Sequence, residues 1–213
     1  MTSLQEYVDR MAEGQEEIYY INGPSRGAIE NGPYIEMFKK RDIEILYTLE
    51  PIDDFVLSHL GEFDGKKLLS ADRADLRLPE STEKNEEAQD ETGEEKLAEA
   101  VQTSLCKWMK EVLGDKVKDV KPSTRLVDSP AMILNTDGYM TSSMERILAA
   151  QGKSGQDNPM MMAGKKEMEI NPASSLIKKM ADLRTKDQDF AKDIAEQIYD
   201  NAMIQAGLII DPQ

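Results

Sequence analysis

The stretch Ile18-Tyr19-Tyr20-Ile21-Asn22-Gly23-Pro24 decides where the first strand of this chain lies and where it stops. Its four β-branched or aromatic residues favour a short strand, and the Asn-Gly-Pro that follows them favours a turn. Beyond the turn, a helical stretch opens at Ser25. Upstream, apolar residues recur at helical spacing from Leu4, and Ser3 and Glu6 have the Ser-x-x-Glu spacing of a capping box. The sequence therefore predicts helix, strand, turn and helix in succession.

Two more strands follow, each separated from the last by a helical segment. Residues 43–49 and 66–71 are rich in strand formers, and Glu50-Pro51 starts the helix between them. That helix carries the apolar residues Ile52, Phe55, Val56 and Leu60. Strands joined through helices pair in parallel, with right-handed crossovers. We therefore predict a three-layer-like β-α-β-α-β subdomain with a parallel sheet over residues 1–78.

An acidic segment interrupts this pattern. Residues 79–99 contain nine acidic residues and two lysines, and few apolar side chains. Like charges hold such a segment extended and solvated. We therefore assign residues 79–96 to an acidic linker between two domains.

The second domain, residues 97–213, mixes helices and short strands. An apolar stripe at helical spacing runs over residues 94–113, and three strand-like runs follow it at 117–126, 131–136 and 167–170. Two helices close the chain, one led by Ser174-Ser175 and the other over residues 189–208. This order predicts a mixed α/β domain with a short sheet and terminal helices, so the overall fold class is α+β.

Composition excludes several classes of function. The chain has 41 acidic residues against 26 basic ones, a formal net charge of −15 over 213 residues. Binding to nucleic acid or to an anionic membrane surface needs clustered Lys and Arg, so we expect neither partner. The lone Cys106 leaves no pair for an internal disulfide, and the lone His59 disfavours histidine metal sites and Ser/His or Cys/His catalysis. Because no apolar stretch reaches membrane-spanning or signal-peptide length, we expect a cytoplasmic protein.

Two other interpretations stay open on the residues alone. The turn at residues 22–27 lies between a strand and a helix, where a phosphate-binding loop would sit in a nucleotide-binding α/β enzyme. Its glycine spacing matches neither common nucleotide-binding pattern, which favours a capped turn. In the other interpretation, the acidic segment 79–99 recruits basic partners, and its binding is then strongly salt-dependent.

Two helices carry more apolar surface than a simple core stripe needs. One is a methionine-rich helix, on which Met140, Met144, Ile147 and Leu148 share one face. Methionines fill irregular cores, and they also suit surfaces that accept many partners. The other is the last helix, which is apolar over so much of its circumference that it must bury more than one face. A subunit interface on that helix is a reasonable hypothesis.

Long motifs in order along the chain resemble the heat shock protein 90 (HtpG-type) chaperones. The resemblance covers nearly the whole chain apart from residues 79–95 and 152–166. The motifs that carry it include Leu4-Gln-Glu-Tyr-Val-Asp-Arg-Met-Ala-Glu-Gly-Gln-Glu-Glu-Ile-Tyr-Tyr-Ile21, Glu62-Phe-Asp-Gly-Lys-Lys67, Met168-Glu-Ile-Asn-Pro172 and Asp200-Asn-Ala-Met-Ile-Gln-Ala-Gly-Leu208.

The resemblance implies a fragment of a larger chaperone. It places residues 1–78 at the end of the family's middle domain and residues 97–213 in its C-terminal dimerisation domain, before the final helix. The ATP-binding domain and the middle-domain loop that reaches the nucleotide have no match here. We therefore expect no enzymatic activity and no cofactor in this chain, with ATP and Mg²⁺ bound by the parent protein.

The resemblance also implies two partners, a partly folded client protein and a second copy of the chain. Without the final helix, we expect the dimer to be weakened. The client-contact residues it implies are Asp54, Phe55, Ser58, Met140, Met144, Ile147 and Leu148. The dimer-interface residues it implies are Phe190, Ile194, Ile198, Tyr199, Ala202, Met203 and Ala206.

Overall fold

The computed structural model describes residues 2–78, 96–136 and 166–208. These residues form two contact units: residues 2–78 with 135–136, and residues 96–134 with 166–208. The acidic segment 79–95 and the methionine-rich helix predicted around residues 140–148 lie outside the described residues. The domain boundaries given above therefore stay a prediction.

The first unit alternates helices and strands, as the sequence predicts. Ser3 and Glu6 form the predicted capping box in front of the first helix, which ends at Arg10, before Gly14. The helices are α1 (Leu4–Arg10), α2 (Arg26–Glu30), α3 (Glu36–Lys40) and α4 (Pro51–Leu60), with a 3-10 turn at Pro33–Ile35 before α3. The strands are β1 (Glu17–Asn22), β2 (Leu46–Thr48), β3 (Glu62–Phe63) and β4 (Lys66–Ser70).

The sheet of the first unit confirms the predicted parallel pairing. Its strand order is β2-β1-β4-β3, and β1 runs parallel to both β2 and β4. The short β3, which the sequence analysis missed, pairs antiparallel with β4. Asp64 and Gly65 between them both have positive φ, the backbone that a two-residue Asp-Gly hairpin turn requires.

Both faces of β1 are buried, which makes the unit three layers deep. Successive strand residues point to opposite faces. Tyr19 and Ile21 therefore join one core, which includes Ile29 of α2 and Phe38 of α3. Ile18 and Tyr20 join the other core, which also includes Tyr7 of α1, Leu57 of α4 and Leu68 of β4.

The second unit packs three helices on a small mixed sheet. The helices are α5 (Glu99–Leu113), α6 (Ser175–Lys186) and α7 (Gln188–Gln205), with a 3-10 turn at Gly114–Lys116. The strands are β5 (Val117–Pro122), β6 (Ala131–Leu134) and β7 (Lys166–Ile170). Their order is β5-β7-β6, with β7 parallel to β5 and antiparallel to β6. The two units together confirm the α+β class.

The central strand of this sheet gives a test of the fold. Met168 of β7 is fully buried, so Met168→Ala removes core packing and leaves a cavity. We expect a loss of about 2–5 kcal/mol in the free energy of unfolding. Urea unfolding followed by the fluorescence of Trp108 in the same unit measures it. Leu176→Ala, at an exposed position of α6, is the matched control and should cost less than about 1 kcal/mol. Equal losses in the two variants would contradict this packing.

Candidate functional site

The turn at residues 22–27 has the contacts of a capped turn. Ser25 Oγ accepts a hydrogen bond from the Ala28 N–H at 3.2 Å, which caps the start of α2. The Gly23 N–H donates to the Thr48 carbonyl of β2 at 3.1 Å. A Cβ at Gly23 would lie 2.6 Å from Cγ1 of Ile29, so the close approach requires glycine. These contacts support the capped turn over a phosphate-binding loop.

Helix α4 is the element that positions the predicted client-contact residues of the first unit. Pro51 at its first position is preset for a helix, and Asp53 in the first turn complements the positive end of the helix dipole. Gly61 ends the helix with φ of 67°, which favours glycine. The local sequence therefore fixes both ends of α4.

The inward side of α4 is narrow. Leu57 packs in the core with Ile18 and Tyr20, and Asp54 is only 2% exposed. Burial, and then the carboxylates of Asp54 and Asp72, raise the pKa of the Tyr20 hydroxyl. Asp54 is thus part of the interior between α4 and the sheet.

The three predicted client-contact residues on α4 do not share one environment. Asp54 is buried, whereas the Phe55 side chain is 41% exposed. Ser58 is half-buried, and its hydroxyl donates to the Phe55 carbonyl at 2.9 Å. The His59 ring lies against the Phe55 ring, with centroids 4.0 Å apart. Phe55 and Ser58 are therefore presented at the surface, and Asp54 is not.

The outward side of α4 is apolar, and we call this surface the α4 face. Ile52 has 61% of its side chain exposed, and Val56 and Leu60 are also exposed. Leu49, just before the helix, is exposed as well. Large exposed apolar side chains are usually scattered on a protein surface, and a contiguous group marks an interaction site. The α4 face consists of Ile52, Phe55, Val56 and Leu60.

Sequence reasoning placed these apolar residues on a helix but gave no sign of their direction. Apolar residues occupy most of the circumference of α4, so helical periodicity does not tell which of them meet the sheet. The buried Asp54 also misleads, because a carboxylate predicts the solvent side.

Helix α7 carries the predicted dimer-interface residues, and its apolar surface is divided. Four of them are buried within the second unit, namely Ile198, Tyr199, Ala202 and Ala206. Phe190 is 53% exposed, and Ile194 and Met203 are partly exposed. The predicted residues of the other client-contact helix, Met140, Met144, Ile147 and Leu148, lie outside the described residues.

A surface cleft of about 950 Å³ lies beside Trp108 in the second unit. Trp108 is half-buried, and the Arg184 guanidinium carbon is 5.9 Å from its ring centroid. Arg184 also donates to the Ser104 carbonyl at 2.9 Å. These contacts join α6 to α5, and they give Trp108 and Arg184 a structural role in the packing of the two helices.

Within residues 2–78, 96–136 and 166–208, no group of three or more His, Cys, Asp or Glu residues is placed to hold a metal ion. Over the same ranges, none of the helices is long and apolar enough to cross a membrane.

The family model described as Hsp90 protein matches residues 1–213. The chain belongs to the Hsp90 family. It is 58% identical to chaperone protein HtpG of Desulfotalea psychrophila, over 99% of this chain and 33% of that protein. It is 46% identical to chaperone protein HtpG of Desulfitobacterium hafniense, over 100% of this chain and 33% of that protein. The chain therefore spans about a third of the length of these curated Hsp90-family relatives.

The single thiol of this Hsp90-family chain gives a test of its burial. Cys106 is buried on α5, and burial, followed by the Asp119 carboxylate, raises the pKa of its thiol to about 11. A raised pKa keeps the thiol protonated through neutral pH, so the reactive thiolate forms only as the pH approaches that value. We expect Ellman's reagent at pH 8 to react roughly a hundredfold more slowly with the folded chain than with the chain in denaturant. Equal rates in the two states would show that the thiol is not buried.

Proposed function

We propose that this chain binds partly folded client proteins and takes part in homodimer assembly, as part of an ATP-dependent Hsp90-type chaperone. ATP binding and hydrolysis, with Mg²⁺, reside in the parent protein outside the residues of this chain. The observation that carries the proposal is the exposed α4 face, which lies where the family resemblance implies client contact.

The mechanism is reversible apolar contact. A partly folded client exposes apolar side chains, and covering them against the α4 face removes both surfaces from water. Each Å² of apolar surface buried contributes roughly 25 cal/mol. Weak contacts of this kind hold many different sequences, because they are non-directional.

The residues on α4 have different parts in this mechanism. Phe55 contacts the client through its exposed ring, and Ser58 lies beside it at the edge of the surface. Asp54 is a supporting residue, because its buried carboxylate meets the interior and not the client. The family resemblance implies a second client surface, formed by Met140, Met144, Ile147 and Leu148.

Homodimer assembly involves the exposed part of α7. Phe190, Ile194 and Met203 keep apolar surface available, whereas the other four predicted residues are already enclosed by their own unit. A stable protein interface buries about 1,200–2,000 Å² in total. A few side chains on one helix supply far less, so we propose that this chain associates weakly.

The client role of the methionine-rich helix is tested by Ile147→Asp with Leu148→Asp. A charge at these positions is costly to bury against an apolar client, so we expect the affinity for an unfolded model client to fall about tenfold. Fluorescence titration measures it. The matched control places the same charges at exposed apolar positions of the second unit, Val101→Asp with Leu176→Asp. Unchanged affinity in the first variant would remove that helix from the role.

The assembly proposal is tested by light scattering over a wide range of concentration. We expect a monomer that associates only as the concentration rises, and Phe190→Ser should weaken that association because it removes the most exposed apolar group of α7. Leu176→Ser, on the neighbouring α6, is the control. A tight dimer at low micromolar concentration would contradict the proposal.

A further inference from the structure

The α4 face lies between exposed carboxylates. Residues 42–65 contain seven acidic residues and no Lys or Arg. Glu50 and Asp53 are exposed at the start of α4, and Glu62 and Asp64 are exposed just after its end. We call Glu50, Asp53 and Asp64 the acidic rim, and leave out Glu62 because it lies directly opposite Lys67 in the β3–β4 pair. An apolar surface bordered by charges of one sign favours partners of the opposite charge.

The two lysines of β4 lie on opposite faces of the sheet. Lys66 of β4 shares a sheet face with Leu68, which packs in the core beneath α4, but its ammonium group donates to the Gln15 carbonyl at 2.8 Å. Lys67 shares the opposite face with Leu69, which packs against the core formed with α2 and α3, and with Glu62, its cross-strand partner on β3. The opposite charges of Glu62 and Lys67 offset each other there. Lys66 stays charged in its hydrogen bond, so the negative charge of the rim lies chiefly at the start of α4, at Glu50 and Asp53.

The apolar residues on α4 form rows that suit a segment of polypeptide. Ile52, Val56 and Leu60 are spaced four apart and lie along one side of the helix, and Phe55 stands in the next row. A row of this length offers several small contacts in line, with the carboxylates of Glu50 and Asp53 at the start of the helix.

We infer that the α4 face binds client segments in which aliphatic or aromatic side chains are flanked by Lys or Arg, and that it rejects segments with acidic flanks. This inference rests on the proposed function and deepens it, because it names the chemistry of the client segment. The apolar rows supply contact that tolerates many sequences, and the acidic rim supplies the preference among them.

The same charges disfavour two other occupants. In a symmetric pair of copies joined through the α4 face, each rim meets the same rim of the partner, and like charges oppose each other. An anionic membrane surface is repelled for the same reason.

The test uses two fluorescein-labelled peptides of equal length with the same apolar centre, one flanked by lysines and the other by glutamates. Anisotropy titrations of the 213-residue chain are made at about 50 mM and about 500 mM NaCl. We expect the lysine-flanked peptide to bind about tenfold more tightly at low salt, with the preference shrinking at high salt as the charges are screened.

Two pairs of substitutions separate the apolar and electrostatic parts. Ile52→Gln with Val56→Gln should weaken the lysine-flanked peptide about tenfold. Glu50→Gln with Asp53→Asn should reduce the preference between the peptides while leaving the glutamate-flanked one no weaker; the Glu50 side chain makes no capping hydrogen bond to α4. All four residues are exposed, so these variants should keep the fold. The matched controls on the second unit are Val101→Gln with Leu176→Gln, and Glu99→Gln with Glu111→Gln, all at exposed positions.

Each outcome decides the inference. Equal binding of the two peptides, or unchanged binding in Ile52→Gln with Val56→Gln, overturns it. Loss of concentration-dependent light scattering in that same variant, without loss of peptide binding, assigns the face to a second copy and also overturns it. An unfolded model client that still binds the unchanged chain in either case leaves the proposed function standing, whereas no binding of client or peptide refutes both.

Discussion

Leu57 packs from α4 onto the side of the sheet that carries Ile18 and Tyr20, and this contact constrains the rest of the first unit. β1 is buried on both faces, so the layer on each side must cover a full row of its side chains. The part of α4 that meets the sheet is narrow, and Asp54 takes one of its places. The remaining apolar side chains of α4 are therefore exposed to solvent.

An apolar helix surface left in water is a cost to the folded chain, since burial of the same groups would stabilise it. α7 encloses Ala191, Ala195 and Ile198 within its own unit, but it too leaves an apolar group in water, since Phe190 is 53% exposed. In a chain that belongs to the Hsp90 family, an exposed surface of this kind is consistent with reversible binding of other polypeptides. We propose that the acidic rim disfavours pairing of that surface with a second copy of itself.

Much of the fold follows from local patterns in the sequence. The Ile18-Tyr-Tyr-Ile21 run, the Asn-Gly-Pro turn and the Ser3–Glu6 capping box are short-range signals, and the structure has each of them in place. The parallel pairing follows from the alternation of strands and helices. The hairpin strand β3 was missed because two residues are too few to show a period.

The candidate site was harder to predict, since it depends on which side of a helix meets the sheet. Asp54 and Phe55 are adjacent in sequence, yet one is enclosed and the other is presented to solvent. Likewise, the apolar residues of α7 gave no sign that Ile198 and Tyr199 would be covered by their own unit while Phe190 stayed exposed. Tertiary packing decides these directions, and the sequence of a helix that carries apolar residues on several sides does not show which side will be covered.

The central claim is that apolar side chains of α4 remain available to other polypeptides. Photo-crosslinking from p-benzoylphenylalanine in place of Phe55, in the presence of a labelled unfolded model client, tests it most directly. The account predicts more crosslinks to the client from position 55 than from the same group in place of Leu176, another exposed apolar position. It also predicts that excess unlabelled client suppresses the crosslinks from position 55. Equal yields from the two positions, or crosslinks at position 55 that excess client does not suppress, would contradict it.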